Sequence, residues 1–357
     1  MQALTNRFST GSLFLIGLIA PATIFLILQV INDPSLFFQT FMKAVGLGSV
    51  YAIVALGFVL IFKATQVVNF AQGGLAVSGA LFVSFMVADE HIPFTTIQNP
   101  LAVWFETADG GISWIGWGLS VMVALVFAAL LGLIIERLAI RPMVGQPLFS
   151  VAVITLGLEI MLRTFNNDTA ETQFREVNVP WGRESFVLFG ATINWSIIAA
   201  MVTAVFCFVG VLLFYRSRMG IAMRAVAYDQ EAAMAQGINV GRVFAIAWGA
   251  GAVLAAIGGV FGTQPPVKET GAIDPETATV AFRALPAVIL GGLDSAAGAL
   301  LGGLIVGSAE IFAGQYAAGE LDLLGAGYPL VVPYLVMIIG LLVRPYGLFG
   351  TPEIVRV

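Results

Sequence analysis

The sequence predicts an all-α membrane protein, a polytopic helical bundle, and three observations support that fold class. Of the 357 residues, 59% are hydrophobic and 10% are charged, whereas soluble domains contain about half apolar and about a quarter charged residues. The mean hydropathy of the chain is +0.95. The apolar residues are concentrated in ten runs separated by more polar loops. We therefore expect residues 1–357 to form a single transmembrane domain with about ten membrane segments.

Six of the runs are long enough to cross a bilayer, which takes about 20 helical residues. They cover residues 13–31, 36–62, 66–88, 114–135, 195–215 and 243–262. Four shorter runs cover residues 148–163, 281–293, 295–313 and 329–343. The Gly291-Gly292 pair leaves two interpretations of residues 281–313 open, two full spans or a re-entrant pair. The first run follows Arg7 and has no obvious small-residue cleavage site, so we expect a retained anchor.

The positively charged residues near the ends of these runs are unevenly distributed. If the N-terminus is cytoplasmic, that side holds ten Lys or Arg residues and the opposite side holds four near its loops. The ten are Arg7, Lys63, Arg137, Arg141, Arg216, Arg218, Arg224, Arg242, Arg344 and Arg356, and the four are Arg163, Arg175, Arg183 and Lys268. Because cytoplasmic loops of membrane proteins carry the excess of Lys and Arg, we expect both termini to be cytoplasmic.

The loop of residues 164–194 is external in this topology. Its segment ESFVLFGATINW alternates apolar and polar residues, which predicts a small β-hairpin over the membrane surface.

Few residues of the chain are suited to redox, metal or nucleotide chemistry. Cys207 and His91 are the single cysteine and histidine, and the sequence contains no CxxC, HExxH or GxxxxGK[ST] motif. We therefore expect no metal site and no cofactor bound by this chain. The net charge of −5 and the lack of a basic stripe also argue against a nucleic-acid partner.

The longest hydrophilic interruption with net positive charge is residues 215–242. Within it, Asp229 is placed to cap the start of a short helix and Gly237 to end it. With both termini cytoplasmic, this loop is expected to lie in the cytoplasm and to receive mechanical work from a partner protein.

Three stretches together resemble the permease subunits of branched-chain amino-acid ABC importers, the hydrophobic amino-acid and amide uptake group. They are residues 46–82 with their NFAQG core, residues 218–243, and residues 281–310 followed by RPYGLFG at 344–350. The likeness runs from about residue 38 to the C-terminus. The short N-terminal extension and the TPE ending resemble the H-type subunit more than its M-type partner.

The resemblance implies a permease of the type II importer class in the cytoplasmic (inner) membrane, surrounded by lipid. It also implies a heterodimer with an M-type permease, two cytoplasmic ATP-binding subunits that hold ATP and Mg²⁺, and an external solute-binding protein; the sequence alone leaves a homodimer open. The chain itself is then a transport subunit and not an enzyme. Branched-chain amino acids, related small amino acids, amides and urea all fit as solutes.

The EAAxxxG element of ABC importer permeases is matched by Glu231, Ala232, Ala233 and Gly237, although the LP that often closes it is absent. We expect residues 215–242 to be the coupling loop, in which an Ala-rich helix seats in a groove of the ATP-binding subunit. Arg224 and Asp229 are expected to orient that helix.

Charged or amide side chains at membrane depth are costly and usually face a cavity or another helix. The candidates for the translocation path are Lys43, Asn69, Gln72, Glu159, Arg163, Arg283 and Glu310. Glu159 and Arg163 share a helix face in the order that favours an ion pair, so structural pairing and solute contact are both open. Asn69 and Gln72 can likewise bind a passing solute or link helices. Many relatives carry His where this sequence has Gln72, which argues against a proton-linked role there.

The alternative function is that of an autonomous secondary transporter or channel for a small polar solute. It would need ion-coupling carboxylates at mid-membrane, for which only Glu159 and Glu310 are candidates.

Overall fold

The computed structural model describes residues 23–89, 91–92, 95–105, 112–143, 145–169, 175–317 and 327–351. These residues are mostly helical. The α-helices are α1 Thr23–Asn32, α2 Pro34–Thr65, α3 Gln72–Ala88, α4 Pro100–Trp104, α5 Trp114–Ile135, α6 Leu148–Thr169, α7 Trp195–Arg216, α8 Arg218–Tyr228, α9 Gln230–Ala235, α10 Val240–Gly262, α11 Thr279–Gly291, α12 Ala296–Tyr316 and α13 Val332–Val343. A π-helical turn at Glu136–Ile140 and a 3-10 turn at Arg141–Met143 extend α5, and a 3-10 turn at Tyr328–Leu330 precedes α13.

Short polar side chains mark where several helices begin. The side chains of Asp33, Ser113 and Ser295 accept hydrogen bonds from backbone N–H groups in the first turns of α2, α5 and α12. These N–H groups have no partner inside the helix, so each cap stabilises its helix by about 1 kcal/mol.

Helix α2 lies at the centre of the bundle. Its 32 residues extend about 48 Å at about 1.5 Å per residue, and almost all of its central part is buried. Helices α7, α10, α11 and α12 pack around it. Glycines permit the closest of these contacts, because a Cβ on Gly48 would lie 2.7 Å from the Leu304 Cα atom of α12. Gly303 of α12 has the same role in the other direction, since its Cβ would lie 2.7 Å from the Ala52 N atom.

Six helices within the described residues are long and apolar enough to cross a membrane, which supports a helical membrane protein but does not confirm ten segments. The six are α2, α5 with its extension, α6, α7, α10 and α12. Four further apolar helices are shorter, namely the described part of α1, α3, α11, and α13 with its 3-10 turn. The part of the first predicted run before residue 23 lies outside the described residues.

The hydropathy of residues 66–88 suggested one continuous helix, but the structure shows a break in this run. The chain breaks after α2 and the 17-residue α3 begins only at Gln72. The Gln72 amide nitrogen lies 3.5 Å from the Gly251 carbonyl oxygen, in the middle of α10, so α3 begins partway along the bundle.

Residues 281–313 form two helices of unequal length. Helix α11 has 13 residues and extends about 20 Å at about 1.5 Å per residue, whereas α12 has 21 residues and reaches spanning length. The two pack backbone against backbone where Gly291 meets Gly298, and a Cβ on either residue would overlap the other. Only one member of the pair is therefore long enough to be a full span.

Two small antiparallel sheets lie in those loops that the structure describes. Strands β2 (Ser185–Leu188) and β3 (Ala191–Asn194) form a hairpin in the segment whose alternation predicts one. Its turn residues Phe189 and Gly190 both have positive φ, 51° and 77°, as the tight hairpin turn requires. Strands β1 (Arg175–Glu176) and β4 (Ala272–Ile273) join two loops far apart in sequence, a pairing that local sequence does not predict.

Candidate functional site

The short helix in residues 215–242 is α9, and its ends are formed by the two residues placed there from sequence. The Asp229 carboxylate accepts a hydrogen bond of 2.9 Å from the Ala232 N–H. At the other end Gly237 has a φ of 81°, and the Ile238 N–H donates to the Ala233 carbonyl at 3.0 Å. This left-handed glycine satisfies the last carbonyls of the helix and turns the chain toward α10.

Helix α9 presents most of its surface to the outside. Ala233 is buried against the bundle, while Glu231, Ala232 and Met234 are exposed. Tyr228, just before α9, is 91% exposed. A short, capped helix with small outward side chains can seat closely in a groove of another protein.

The loop contains a second helix, α8, that our reading of the sequence missed. Ser217 caps its start, and Met219, Met223 and Val226 recur at the spacing of one helix face. That apolar face packs on the bundle, so the repeat was the available signal. Arg224 lies on α8 and donates to the Tyr215 carbonyl at 2.8 Å, so its contact is with the end of α7 and not with α9.

Asn69 and Gln72 lie at the break before α3, and both are fully buried. The Asn69 side-chain N–H donates to the Gln72 side-chain oxygen at 3.0 Å, while the Asn69 oxygen accepts from the Ala71 N–H at 3.0 Å. The Gln72 amide nitrogen lies toward the Gly251 carbonyl of α10. In this conformation the two amides hold the break together and join it to a neighbouring helix.

Glu159 of α6 binds the start of α3. Its Oε2 atom accepts a hydrogen bond of 2.6 Å from the Gly74 N–H, in the first turn of that helix. A carboxylate there interacts favourably with the positive end of the helix dipole. Oε1 is buried and has no hydrogen-bond partner among the described residues. Helix α6 thus supplies from outside the cap that α3 lacks in its own sequence, since the Ala71 side chain cannot accept a hydrogen bond.

The sequence left open whether Glu159 and Arg163 form an ion pair. Among the described residues they do not. Arg163 is exposed and donates to the Pro275 carbonyl at 3.2 Å, in the loop before α11. The spacing of Glu159 and Arg163 within one helix suggested an ion pair, but each side chain binds a partner on another element.

Two further side chains of α6, those of Thr155 and Asn166, bind the break before α3 or its first turn. The Phe70 N–H donates to the Thr155 hydroxyl at 3.1 Å, and the Asn166 amide donates to the Gly74 carbonyl at 3.0 Å. Asn166 also accepts from the Ser78 hydroxyl at 3.0 Å. Asn166 and Ser78 are not among the candidates from the sequence, although Asn166 lies seven residues after Glu159 and thus on the same helix face.

Glu310 belongs to a second buried network. The Tyr51 hydroxyl of α2 donates to Glu310 Oε2 at 2.6 Å, and Arg283 of α11 pairs with Oε1. The guanidinium also lies 5.8 Å from the centre of the Tyr51 ring. The network joins α2, α11 and α12, and it leaves the Glu310 carboxylate with both oxygens partnered.

The path candidates therefore form two networks and not one continuous row. Asn69, Gln72 and Glu159 meet at the start of α3, whereas Glu310 of α12 meets Arg283 of α11 and Tyr51 of α2. Lys43 is partly exposed on α2, two turns before Tyr51, and has no hydrogen-bond or ionic partner among the described residues.

Comparison with known proteins decides the family. Residues 41–341 match the family model described as the permease component of branched-chain amino acid transport systems. The chain belongs to this family. The resemblance stated from the sequence is thereby confirmed, and the chain is a multi-pass membrane permease subunit of an ABC importer, not an enzyme in its own right.

Several curated relatives are similar in sequence to this permease over nearly its whole length. It is 32% identical over 329 residues to the high-affinity branched-chain amino acid transport system permease protein LivH of Salmonella typhimurium, covering 90% of this chain and 98% of the relative. It is 30% identical over 330 residues to the corresponding permease protein BraD of Pseudomonas aeruginosa, with the same coverage. A probable LivH of Methanocaldococcus jannaschii is 27% identical over 310 residues, 84% of this chain and 88% of that protein. No solved structure gives a significant match.

Proposed function

We propose that this permease is the H-type subunit of an ATP-driven importer of branched-chain amino acids or related small amino acids, amides or urea. The observation that carries the proposal is its near full-length likeness to permeases named for branched-chain amino acid transport. The exposed, doubly capped helix α9 supports the ATP-driven part, because it offers a rigid surface to a soluble subunit.

The assembly that we propose contains an M-type permease, two cytoplasmic ATP-binding subunits and an external solute-binding protein. ATP and Mg²⁺ bind to the ATP-binding subunits, and this chain holds no cofactor. The complex lies in the cytoplasmic membrane with both termini of this chain on the cytoplasmic side. Its type II bundle has ten membrane segments, which correspond to the six long helices and the four shorter apolar ones.

In the proposed cycle, nucleotide binding moves the ATP-binding subunits and thereby pushes residues 215–242. The contact is made by the exposed residues Glu231 and Ala232 of α9, with Asp229 and Gly237 holding the helix ends and Arg224 fastening α8. Ala233, which the sequence also placed at this contact, is buried and instead seats α9 on the bundle. The push shifts the equilibrium between inward-facing and outward-facing arrangements. It can do so only because the docked nucleotide state binds the two arrangements with different affinity.

For the path, we assign contact with the solute to Lys43 and Arg163, whose charged side chains are the more exposed candidates. Asn69, Gln72, Glu159 and Glu310 are buried and hydrogen-bonded. Their proposed role is to hold the helices that line the path.

The test is a disulfide crosslink in the purified complex. Cys207 is first replaced by Ala, since it is the single cysteine. A cysteine is then placed at Ala232 and a second one on the groove of the ATP-binding subunit. We expect crosslinking whose yield changes between the nucleotide-free and ATP-bound states. The matched control is Val205→Cys on the exposed face of α7, which should give no crosslink. Absence of an Ala232 crosslink in every nucleotide state would refute docking by α9.

A further inference from the structure

Lys63 connects two parts of the permease at one end of α2. Its ammonium donates a hydrogen bond of 2.8 Å to the carbonyl of Asp294, in the turn between α11 and α12. The same ammonium lies 4.8 Å from the centre of the Tyr215 ring, at the end of α7. One half-buried cation thus contacts two elements that are about 80 residues apart in the chain. Both partners, a carbonyl oxygen and an aromatic face, interact favourably with a positive charge.

On one side this contact leads to the coupling loop. Tyr215 is the residue whose carbonyl accepts the hydrogen bond from Arg224 of α8. Helix α8 in turn is followed by α9 after the single residue Asp229. A displacement of α8 and α9 therefore reaches the backbone of Tyr215, the residue whose ring Lys63 contacts, through a charge-assisted hydrogen bond.

On the other side the contact leads to the short helix α11. The turn that holds Asp294 follows Gly292, whose φ of 104° only glycine adopts readily. The Asp294 carboxylate binds Thr351, and the neighbouring Leu348 N–H donates to the Leu290 carbonyl at 2.8 Å. The C-terminal segment thus fastens the turn to the end of α11.

Helix α11 carries Arg283, which pairs with Glu310 of α12 beside Tyr51 of α2. A shift of α11 along its axis would therefore have to break or carry this buried pair. Motion of α11 is therefore tied to a specific buried contact, and elements held by such contacts can switch between packed arrangements.

We propose that Lys63 is the positioning residue that transmits motion of the coupling loop to the α11–α12 turn. The proposal rests on the proposed coupling function of residues 215–242. Lys63 contacts neither solute nor nucleotide. It acts by holding Tyr215 and Asp294 at a constant separation, so that the loop and the turn move together.

The test uses the complete importer reconstituted with its partners, and compares solute uptake with ATP hydrolysis. Lys63→Met keeps the length of the side chain and removes the charge. We expect uptake per ATP hydrolysed to fall about tenfold, which lies within the range of known coupling changes. Basal ATP hydrolysis and the Ala232 crosslink should stay as in the parent protein. Lys63→Arg, which can still donate to the carbonyl and lie on the ring, should restore most of the uptake.

Two variants of Tyr215 supply a matched pair. Tyr215→Leu removes the ring and should reproduce the defect of Lys63→Met. Tyr215→Phe keeps the ring and removes only a buried hydroxyl that has no partner among the described residues, so it should transport normally. The Lys63→Met/Tyr215→Leu double variant should be no worse than either single one, since both interrupt one contact.

The outcomes separate the two proposals. If the protein with Lys63 unchanged and a cysteine at Ala232 gives no crosslink, docking by α9 is refuted. Lys63 then has no motion to transmit, and its proposed role is refuted as well. An intact crosslink with normal uptake per ATP in Lys63→Met overturns the transmission role alone. Equal loss of assembled complex in Lys63→Met and Lys63→Arg, with normal coupling in the complex that remains, would make Lys63 a structural residue and also overturn it.

Discussion

Replacing Glu310 by Ala is expected to destabilise the bundle strongly, because it removes one partner of a buried ion pair. The side chain of Glu310 is 5% exposed and that of Arg283 is 20% exposed, so solvent cannot take over the interaction. Leaving one charge of a buried pair without its partner costs about 3–5 kcal/mol. The Tyr51 hydroxyl also loses a hydrogen bond to a charged acceptor, which alone contributes about 1.5–3 kcal/mol. Because the three groups form one network, these costs overlap, and we expect a total of about 3–5 kcal/mol.

The assay is unfolding of the purified complex in detergent, followed by uptake in vesicles. Arg283→Met combined with Glu310→Met removes both charges, and such a double change usually costs far less than either single one. Adding Tyr51→Phe removes the hydroxyl left behind and should bring stability close to that of the parent protein. A double variant as unstable as Glu310→Ala would refute the reasoning, because the loss would then come from packing and not from an unpaired charge.

Three further predictions concern other parts of the chain. Glu159→Leu should destabilise the start of α3 by about 1–3 kcal/mol because the Gly74 N–H loses its acceptor, whereas Glu159→Gln should keep most of the stability; equal losses in unfolding measurements would contradict this. Asp229→Ala should cost about 1 kcal/mol locally and weaken the crosslink from α9, and Asp229→Ser should retain it. Burial opposes the charge of Asp274, but the hydrogen bond and charge of Lys268 outweigh it and lower the pKa of Asp274. Because the pKa is lowered in the folded state, the stabilisation is present above the unfolded value of about 3.9 and is lost as pH falls through the folded value. Asp274→Asn should therefore be less stable near neutral pH and equal to the parent protein in acid, as pH-dependent unfolding would show.

Within the described residues, each apolar run of the sequence contains an apolar helix, but hydropathy could not show where a helix is interrupted. The break before α3 contains Val67, Val68 and Phe70, which are as apolar as the helices on either side. A hydropathy window therefore continues through the break. The Gly291-Gly292 pair did mark the end of α11. Glycine has no side chain and readily adopts positive φ, as Gly292 does here. Helix length within the membrane, by contrast, depends on contacts that a sequence window does not contain.

The local parts of the candidate site were more predictable than its partners. Asp229 and Gly237 act on backbone groups a few residues away, so their positions in the sequence were sufficient to place α9. Glu159 instead binds an N–H on another helix, and its nearest charged neighbour in sequence, Arg163, turns to a different loop. Pairings across the bundle depend on the packing of whole helices, and a single sequence offers no signal for them.

A permease that works in an ATP-driven importer must move its solute at the expense of ATP and not of an ion gradient. The most direct measurement is uptake of a radiolabelled branched-chain amino acid into vesicles that contain the complete complex, with the binding protein outside and ATP inside. We expect uptake to require ATP and to continue after an uncoupler has abolished the ion gradients. Uptake that proceeds without ATP and stops with the uncoupler would contradict it.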